Sequence, residues 1–298
     1  MPYLLDYIKP IKIHKISYYN NELLLVNTEY MDILKRNRLL SFEDIWFINY
    51  GELLEKKGER SIVRLELRKN DKERVCLYIK KHVQKISAYN KFFPRSFIAE
   101  GPKEFNNYCA FRVNGLATPI PIAAGVKYLS KSHIYSFFIS KDFYPLVSVE
   151  NIILNTPSAL AGNCNKDKRR RILTAIATYA KKMHNSGFNQ KDFNATHILI
   201  DDLDSQQPFV ALFDLQRVDR GYLNRYRWPI KALAELIFTL PCNIFSREDK
   251  LFLFKAYKNI DKLSLWDKFQ YKWILRKVSK IAKHDKKNNL KFKDKLEC

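Results

Sequence analysis

The order of patterns along this chain predicts an α+β protein in which strands gather in the first half and helices in the second. From Gly58 onward the residues alternate, with Ile62, Arg64 and Glu66 on one side and Val63, Leu65 and Leu67 on the other, the period-two signature of a half-buried strand. Further on, Ile172, Ile176, Tyr179, Ala180 and Met183 recur at helical spacing, which predicts a helix with one buried stripe. The two kinds of pattern are segregated and do not alternate, which excludes a doubly wound parallel sheet.

Composition limits the function classes. With 298 residues the chain can bury a substantial core as one large domain or two lobes. A hydrophobic content of 46%, with 20 Phe and 17 Tyr, excludes a disordered protein. The 53 Lys and Arg against 31 Asp and Glu leave a formal charge of +22, which calls for an anionic partner: nucleic acid, an anionic membrane surface or a phosphorylated glycolipid. Cys76, Cys109, Cys164, Cys242 and Cys298 are odd in number and form no C-x-x-C pair. They argue against a disulfide framework or a structural zinc site, and for a reducing compartment. MPYLLDYIKPIKIHK lacks the apolar region of a signal peptide, and no run approaches the roughly 18 apolar residues needed to cross a bilayer. A soluble or peripheral cytosolic protein is expected.

Taken in order, residues 1–40 show weak periodicity and many charged interruptions and are expected to form an irregular N-terminal extension. Ser41 to Asp44 ahead of Ile45-Trp46 predicts a capped helix start. The alternating run after Gly58 and Val75 to Ile79, separated by the polar turn at 69–72, predict an antiparallel hairpin ending in Lys80, Lys81 and His82, at least one of which points inward. Gly101-Pro102 opens a helix over 103–114, with Glu104 in its first turn. Residues 117–125 and 134–139 read as two more strands, so that 41–140 forms a small mixed sheet with one helix. The helical part covers 141–282, with helices at 170–184, 228–240 and 248–259, and a basic disordered tail over 283–298.

The stretch from His184 to Arg217 carries the spacing of phosphoryl-transfer chemistry. Asp192 follows a turn at 185–187, His197 stands five positions later, and the apolar run Phe209 to Phe213 delivers Asp214 at a strand end. In sites of this kind one aspartate accepts the acceptor hydroxyl's proton, a residue five further on helps hold metal, and a downstream strand-end aspartate binds the nucleotide's Mg²⁺. No G-x-G-x-x-G occurs; Gly51 and Gly58 bracket the only candidate for a phosphate-covering loop. Glu104 either favours a helix N-terminus or pairs with the strand lysine.

In combination, YGELLEKKGERSIVRLEL, LYIKKH, Glu104, HNSGFNQKDFNATHILI, FDLQR and RYRWPIKALAELIF, in this order, resemble the lipopolysaccharide kinase (Kdo/WaaP) family, most closely its heptose kinase branch. The resemblance runs from about Phe42 to Tyr257. It implies a bilobal, protein-kinase-like fold with a small β-rich N-lobe and a helical C-lobe, using ATP and Mg²⁺. By position it implies Lys80 on the α and β phosphates, Glu104 as its ion-pair partner, Asp192 as catalytic base and Asp214 as the main Mg²⁺ ligand. Gly51 and Gly58 would flank the nucleotide. His197 stands at a metal-binding position, although imidazole suits Mg²⁺ poorly and orienting Asp192 or a phosphate is its alternative role. Gln190-Lys191 replaces the protein-kinase His-Arg, with the expected loss of a structural anchor. The acceptor implied is a heptose hydroxyl of the lipopolysaccharide inner core or lipid A-core, at the cytoplasmic face of the inner membrane. A Kdo kinase, a protein kinase of the same fold and a non-catalytic scaffold binding an acidic partner are the alternatives. Specific nucleic-acid binding is not expected, since charge alone supports it and no recognition module is present.

The segment after Ser264 predicts partners. Trp266, Phe269, Trp273, Ile274, Val278 and Ile281 form one helical stripe, and Lys268, Lys272, Arg276 and Lys280 another. Such a helix either lies on an anionic membrane surface or packs on the core with a solvated basic face. His14, His82, His133, His184 and His284 are expected to be structural or exposed, with His184 favoured by the dipole at a helix end.

Overall fold

The alternation between Arg60 and Lys85 produces the hairpin expected there, two long strands paired in register from Arg60 against His82 to Arg68 against Arg74. The computed structural model describes residues 6–18, 22–85, 99–128, 133–221 and 225–287, and the chain divides into two units, Met1–Phe143 and Tyr144–Cys298.

The first unit is built on a sheet with strands β1 (Ile13–Tyr18), β2 (Glu22–Asn27), β3 (Glu52–Lys57), β4 (Arg60–Arg68), β5 (Arg74–Lys85), β6 (Pro121–Tyr128) and β7 (His133–Lys141). Among the described residues these seven run in the spatial order β1-β2-β6-β7-β5-β4-β3. Every pairing is antiparallel, which corrects the expectation of a mixed sheet. Turns as short as that between Lys57 and Arg60 reverse the chain directly, and a parallel neighbour would need a long crossover.

The expectation of an irregular extension over 1–40 is also overturned. The run Leu23–Val26 lies between β1 and β6, with Leu24 and Val26 fully buried, and helix α1 (Met31–Arg36) follows. A short continuous apolar run flanked by strands on both sides shows no period, so alternation could not reveal it. Nearer the start, the buried Arg112 guanidinium donates to the carbonyls of Lys9 and Tyr7, each at 2.8 Å, and of Thr118 at 3.0 Å. Burial pushes its pKa down to about 10. These bonds fasten the segment at 6–9 to the body of the unit.

Strand β5 runs past the expected end at His82 to Lys85, and the alternation of its side chains decides which way Lys80 and Lys81 face. Val75, Leu77 and Ile79 enter a core with Leu24, Phe42, Ile45, Phe137 and Ile139. Helix α2 (Phe42–Trp46), closed by the expected Ser41–Asp44 capping box, packs on that face. Lys80 pairs with Phe138 across the ladder, on the face covered by α3 (Glu100–Val113), whose Phe105 and Tyr108 rings lie 6.4 and 4.8 Å from Phe138. The helix approaches the sheet most closely at Gly101, where an added Cβ would stand 2.2 Å from the Phe137 carbonyl oxygen.

The second unit holds helices α4 (Val149–Asn155), α5 (Lys166–Asn185), α6 (Trp228–Thr239), α7 (Arg247–Lys258) and α8 (Leu265–Lys287). Short strands β8 (Val147–Ser148), β9 (Phe188–Gln190), β10 (Ile198–Ile200), β11 (Val210–Leu212) and β12 (Val218–Arg220) accompany them. The predicted stripe of α5 is its buried face. Asp249 caps α7 with Ser246 and receives the buried Arg169 guanidinium of α5 at 2.9 Å, joining two helices through one carboxylate. Helix α8 continues to Lys287, past the expected start of a tail at 283; the remainder of the 283–298 segment lies outside the described residues. Cys76, Cys109 and Cys164 are free thiols. Among the described residues no helix is long and apolar enough to cross a membrane.

Because a backbone atom of β7 blocks any side chain at position 101, Gly101→Val should push α3 off the sheet and destabilise the protein by roughly 2–4 kcal/mol. Thermal unfolding checks this; an unchanged melting temperature would contradict the packing described.

Candidate active site

In the first unit, strand parity separates Lys80 from Lys81. Lys81 faces the α2 side, where its ammonium donates to the Trp46 carbonyl at 2.6 Å and lies 5.8 Å from the Trp46 ring; burial lowers its pKa. Lys80 faces α3, and its Nζ donates to Glu104 Oε1 at 2.8 Å. The Glu104 side chain is 0% exposed. Since α3 begins at Glu100, Glu104 stands beyond the first turn, where the helix dipole has faded. Its carboxylate therefore serves the lysine, holding one ammonium at a fixed point on the sheet.

In the second unit two short ladders bring four residues together. Strand β9 pairs with β12, Gln190 opposite Val218 and Asn189 opposite Asp219. The residues that continue this register are Lys191, whose N–H donates to the Arg217 carbonyl at 3.0 Å, and then Asp192. The Arg217 guanidinium consequently reaches Asp192 Oδ1 at 2.8 Å. Strand β10 pairs with β11, Ile198 opposite Leu212. Phe213 N–H donates to the His197 carbonyl at 3.2 Å, and the two rings meet edge to face at 5.5 Å. Asp214 is the next residue, with its Oδ2 3.7 Å from His197 Nε2. Asp192, His197, Asp214 and Arg217 thus follow or precede a strand at matching ends of the two ladders.

The roles within this group are set by hydrogen bonds. His197 Nδ1 lies 2.9 Å from the Asp192 carbonyl oxygen, which only accepts, so Nδ1 carries a proton and Nε2 is the nitrogen that faces Asp214. Of the two roles expected for His197, orientation of the Asp192 segment is therefore the one with a bond behind it. Asp214 adopts φ +57, a left-handed conformation that aspartate tolerates better than most residues. Its carbonyl accepts from the amide of the fully buried Gln190. This corrects the expectation that Gln190-Lys191 loses an anchor: Gln190 is the anchor. The loop between Asp192 and His197 is braced by Thr239 of α6, whose Oγ1 accepts from Ala195 N–H at 3.0 Å, and by the Asn194 side chain, which accepts from Thr196 N–H at 3.1 Å.

Arg217, Gln190 and Thr239 escaped the sequence reading. Arg217 was visible within FDLQR, and only the β9–β12 register shows that it meets Asp192. His184, expected to be structural or exposed, is structural: it is buried, 2.9 Å from the Tyr257 hydroxyl and 3.3 Å from Asn189 Oδ1. Asn189 in turn donates to Asp219, which holds the Lys191 ammonium at 2.9 Å, so His184 braces the strand leading to Asp192. Gly51 and Gly58 do not bracket a loop. Residues 52–57 between them are strand β3, exposed throughout, and the only turn is at Gly58, with φ +58. Gly51 is a packing residue, since a Cβ there would lie 2.7 Å from the Arg64 carbonyl.

Among the described residues no cluster of three or more His, Cys, Asp or Glu forms a metal cage. Asp214 offers hard carboxylate oxygens beside one imidazole nitrogen. The carboxylate suits Mg²⁺, which is commonly held by one or two carboxylates together with substrate phosphates, and the imidazole adds little to such a site. The donors present therefore fit a metal that arrives with a nucleotide.

The chain belongs to the lipopolysaccharide kinase (Kdo/WaaP) family, matched over residues 45–257. Membership of a kinase family makes the chain a phosphotransferase. It is 25% identical over 177 residues to the lipopolysaccharide core heptose(I) kinase WaaP of Pseudomonas aeruginosa, an alignment covering 56% of this chain and 63% of that protein. The structure of WaaP in complex with acyl carrier protein shares the fold at a TM-score of 0.63, with 20% identity, over 86% of this chain and 98% of that one. The expected architecture, sheet-rich in its N-terminal part and helical in its C-terminal part, is the one found.

Removing one partner of a buried ion pair leaves the other charge uncompensated, at a cost of about 3–5 kcal/mol. Lys80→Met should lower stability by that order, and adding Glu104→Gln should recover a large part of it. Thermal melts of the two single variants and the double variant check this; strictly additive losses would show that the pair is not coupled.

Proposed function

We propose that the chain transfers the γ-phosphoryl group of ATP to a sugar hydroxyl of the lipopolysaccharide inner core, a heptose hydroxyl, at the cytoplasmic face of the inner membrane. The observation that carries this is the placement of Asp192 and Asp214 just past β9 and β11, with His197 at 2.9 Å from the carbonyl of the first and 3.7 Å from the carboxylate of the second, in a chain of the lipopolysaccharide kinase family. The heptose assignment is supported by the likeness to a heptose(I) kinase, of whose length this chain spans about 63%. The surplus of 53 basic over 31 acidic residues suits an acceptor rich in phosphates and carboxylates.

In this reading each side chain has one task. Asp192 accepts the hydrogen bond of the attacking hydroxyl and takes its proton as the new P–O bond forms. Arg217, at 2.8 Å, fixes the direction of that carboxylate. Lys80 lies against the α and β phosphates as a point charge, kept in place by Glu104. Asp214 would hold Mg²⁺, with His197 assisting beside it; when bound, the ion would neutralise charge on the phosphate oxygens. The turn at Gly58, rather than a glycine-rich loop, is the element available to cover phosphate.

Incubation with ATP and heptose-bearing core oligosaccharide, followed by mass spectrometry with fragmentation, should find one added phosphoryl group on a heptose. Asp192→Ala and Asp214→Ala should each lower the rate by at least about 10²–10⁴-fold while the protein stays folded. Phosphate on Kdo would move the acceptor assignment to the other branch of the family. Nucleotide binding with no transfer to any sugar would leave a scaffold, and full activity in either variant would remove the mechanism.

A further inference from the structure

Helix α8 presents two faces. One packs against its own unit: Ile274 is fully buried, Tyr271 meets Phe254 with ring centroids 5.4 Å apart, and Lys258 of α7 bridges to Asp267 at 3.2 Å. On the other side Trp266, Phe269 and Trp273 are 61%, 50% and 38% exposed. These three recur at spacings of three and four, so they form one row along the helix. Their rings touch in series, Trp266 stacked on Phe269 at 5.3 Å and Phe269 tilted to Trp273 at 6.4 Å. An exposed row of three large aromatics calls for a partner.

The same row continues as charge. One turn beyond Trp273 come Arg276, Lys280 and Lys283, which with Trp273 line an open hollow of about 420 Å³. Aromatic rings that end in a line of cations match one environment closely, the boundary of an anionic lipid bilayer. There, indole and phenyl rings sit at the headgroup level and lysine or arginine meets lipid phosphate. Nucleic-acid stacking would favour cations flanking each ring along a channel rather than a separate basic run at one end.

We infer that the exposed row of α8 is a membrane-docking surface, in which Trp266, Phe269 and Trp273 insert among headgroups of an anionic phospholipid bilayer while Arg276, Lys280 and Lys283 pair with their phosphates. The buried face of α8 packs on α6, the helix whose Thr239 braces the loop after Asp192. Docking would therefore hold this unit, with Asp192, at the lipid surface. The inference goes beyond the kinase reading and is tested without nucleotide, so either can fail alone.

The experiment is vesicle flotation of the full chain at about 0.15 M salt, with phosphatidylethanolamine–phosphatidylglycerol vesicles against phosphatidylcholine vesicles. The wild type should float with the anionic vesicles and not the neutral ones. Trp266→Ala/Phe269→Ala/Trp273→Ala and, separately, Arg276→Glu/Lys280→Glu/Lys283→Glu should each weaken association at least tenfold, with thermal melts showing folded protein. Should the aromatic set fail to fold, Trp266→Ala alone, at the most exposed of the three positions, replaces it. No association with anionic vesicles, or loss in only one of the two sets, overturns the proposal. So does retention on duplex DNA that both sets abolish while vesicle binding stays unchanged.

Discussion

The constraint on which the candidate site depends is the register of two very short antiparallel ladders. With Gln190 opposite Val218, Lys191 falls opposite Arg217 and Asp192 stands next to it, within reach of the Arg217 guanidinium; with Ile198 opposite Leu212, His197 falls opposite Phe213 and Asp214 stands next to it. A slip of one residue in either ladder would turn these side chains to the other face. Ladders of three residues are too short to set their own register, so it is imposed from outside. Ile198, Leu199, Ile200, Val210, Ala211 and Leu212 are all buried, Gln190 bonds across to the Asp214 carbonyl, and the Asn189–Asp219 contact ties β9 to β12 beside its backbone bonds. Chemistry here rests on buried apolar strands that carry no reactive group.

The first unit solves a different problem, that of keeping a cation buried. A lysine beneath a helix is costly unless paired, and the pairing with Glu104 yields no large net stability by itself. What it secures is position. The ammonium is fixed by strand parity from below and by Glu104 from the side, and Glu104 is placed by the close contact of Gly101 with β7. Lys81, one residue on, faces the other side and is spent on packing against Trp46. Neighbouring lysines of the same composition thus receive unrelated roles from a period of two.

Much of this was legible in the residues. The β4–β5 hairpin and the buried face of α5 follow from clear periods, and the Lys80–Glu104 pair is the one the family resemblance implied. The failures share a cause: the deciding contact was not local. Strand β2 hides in an apolar run without alternation, and β3 is exposed on both faces and so has no hydrophobic period. Gln190 read as a lost anchor because its value lies in a bond to a residue 24 positions away. Arg217 read as the end of a motif because its partner Asp192 is 25 positions away. For His184 the residues left structural and exposed both open, and the contacts that decide it, with Tyr257 and Asn189, lie outside its own helix.

The division of labour between the two aspartates is the centre of this account, and calorimetric titration of ATP with and without Mg²⁺ tests it most directly. Asp214→Asn should lose the gain in affinity that Mg²⁺ confers on the wild type, whereas Asp192→Asn should bind Mg²⁺-ATP as the wild type does. An Asp214→Asn protein that keeps the full Mg²⁺-dependent gain, or an Asp192→Asn protein that loses it, would contradict the assignment.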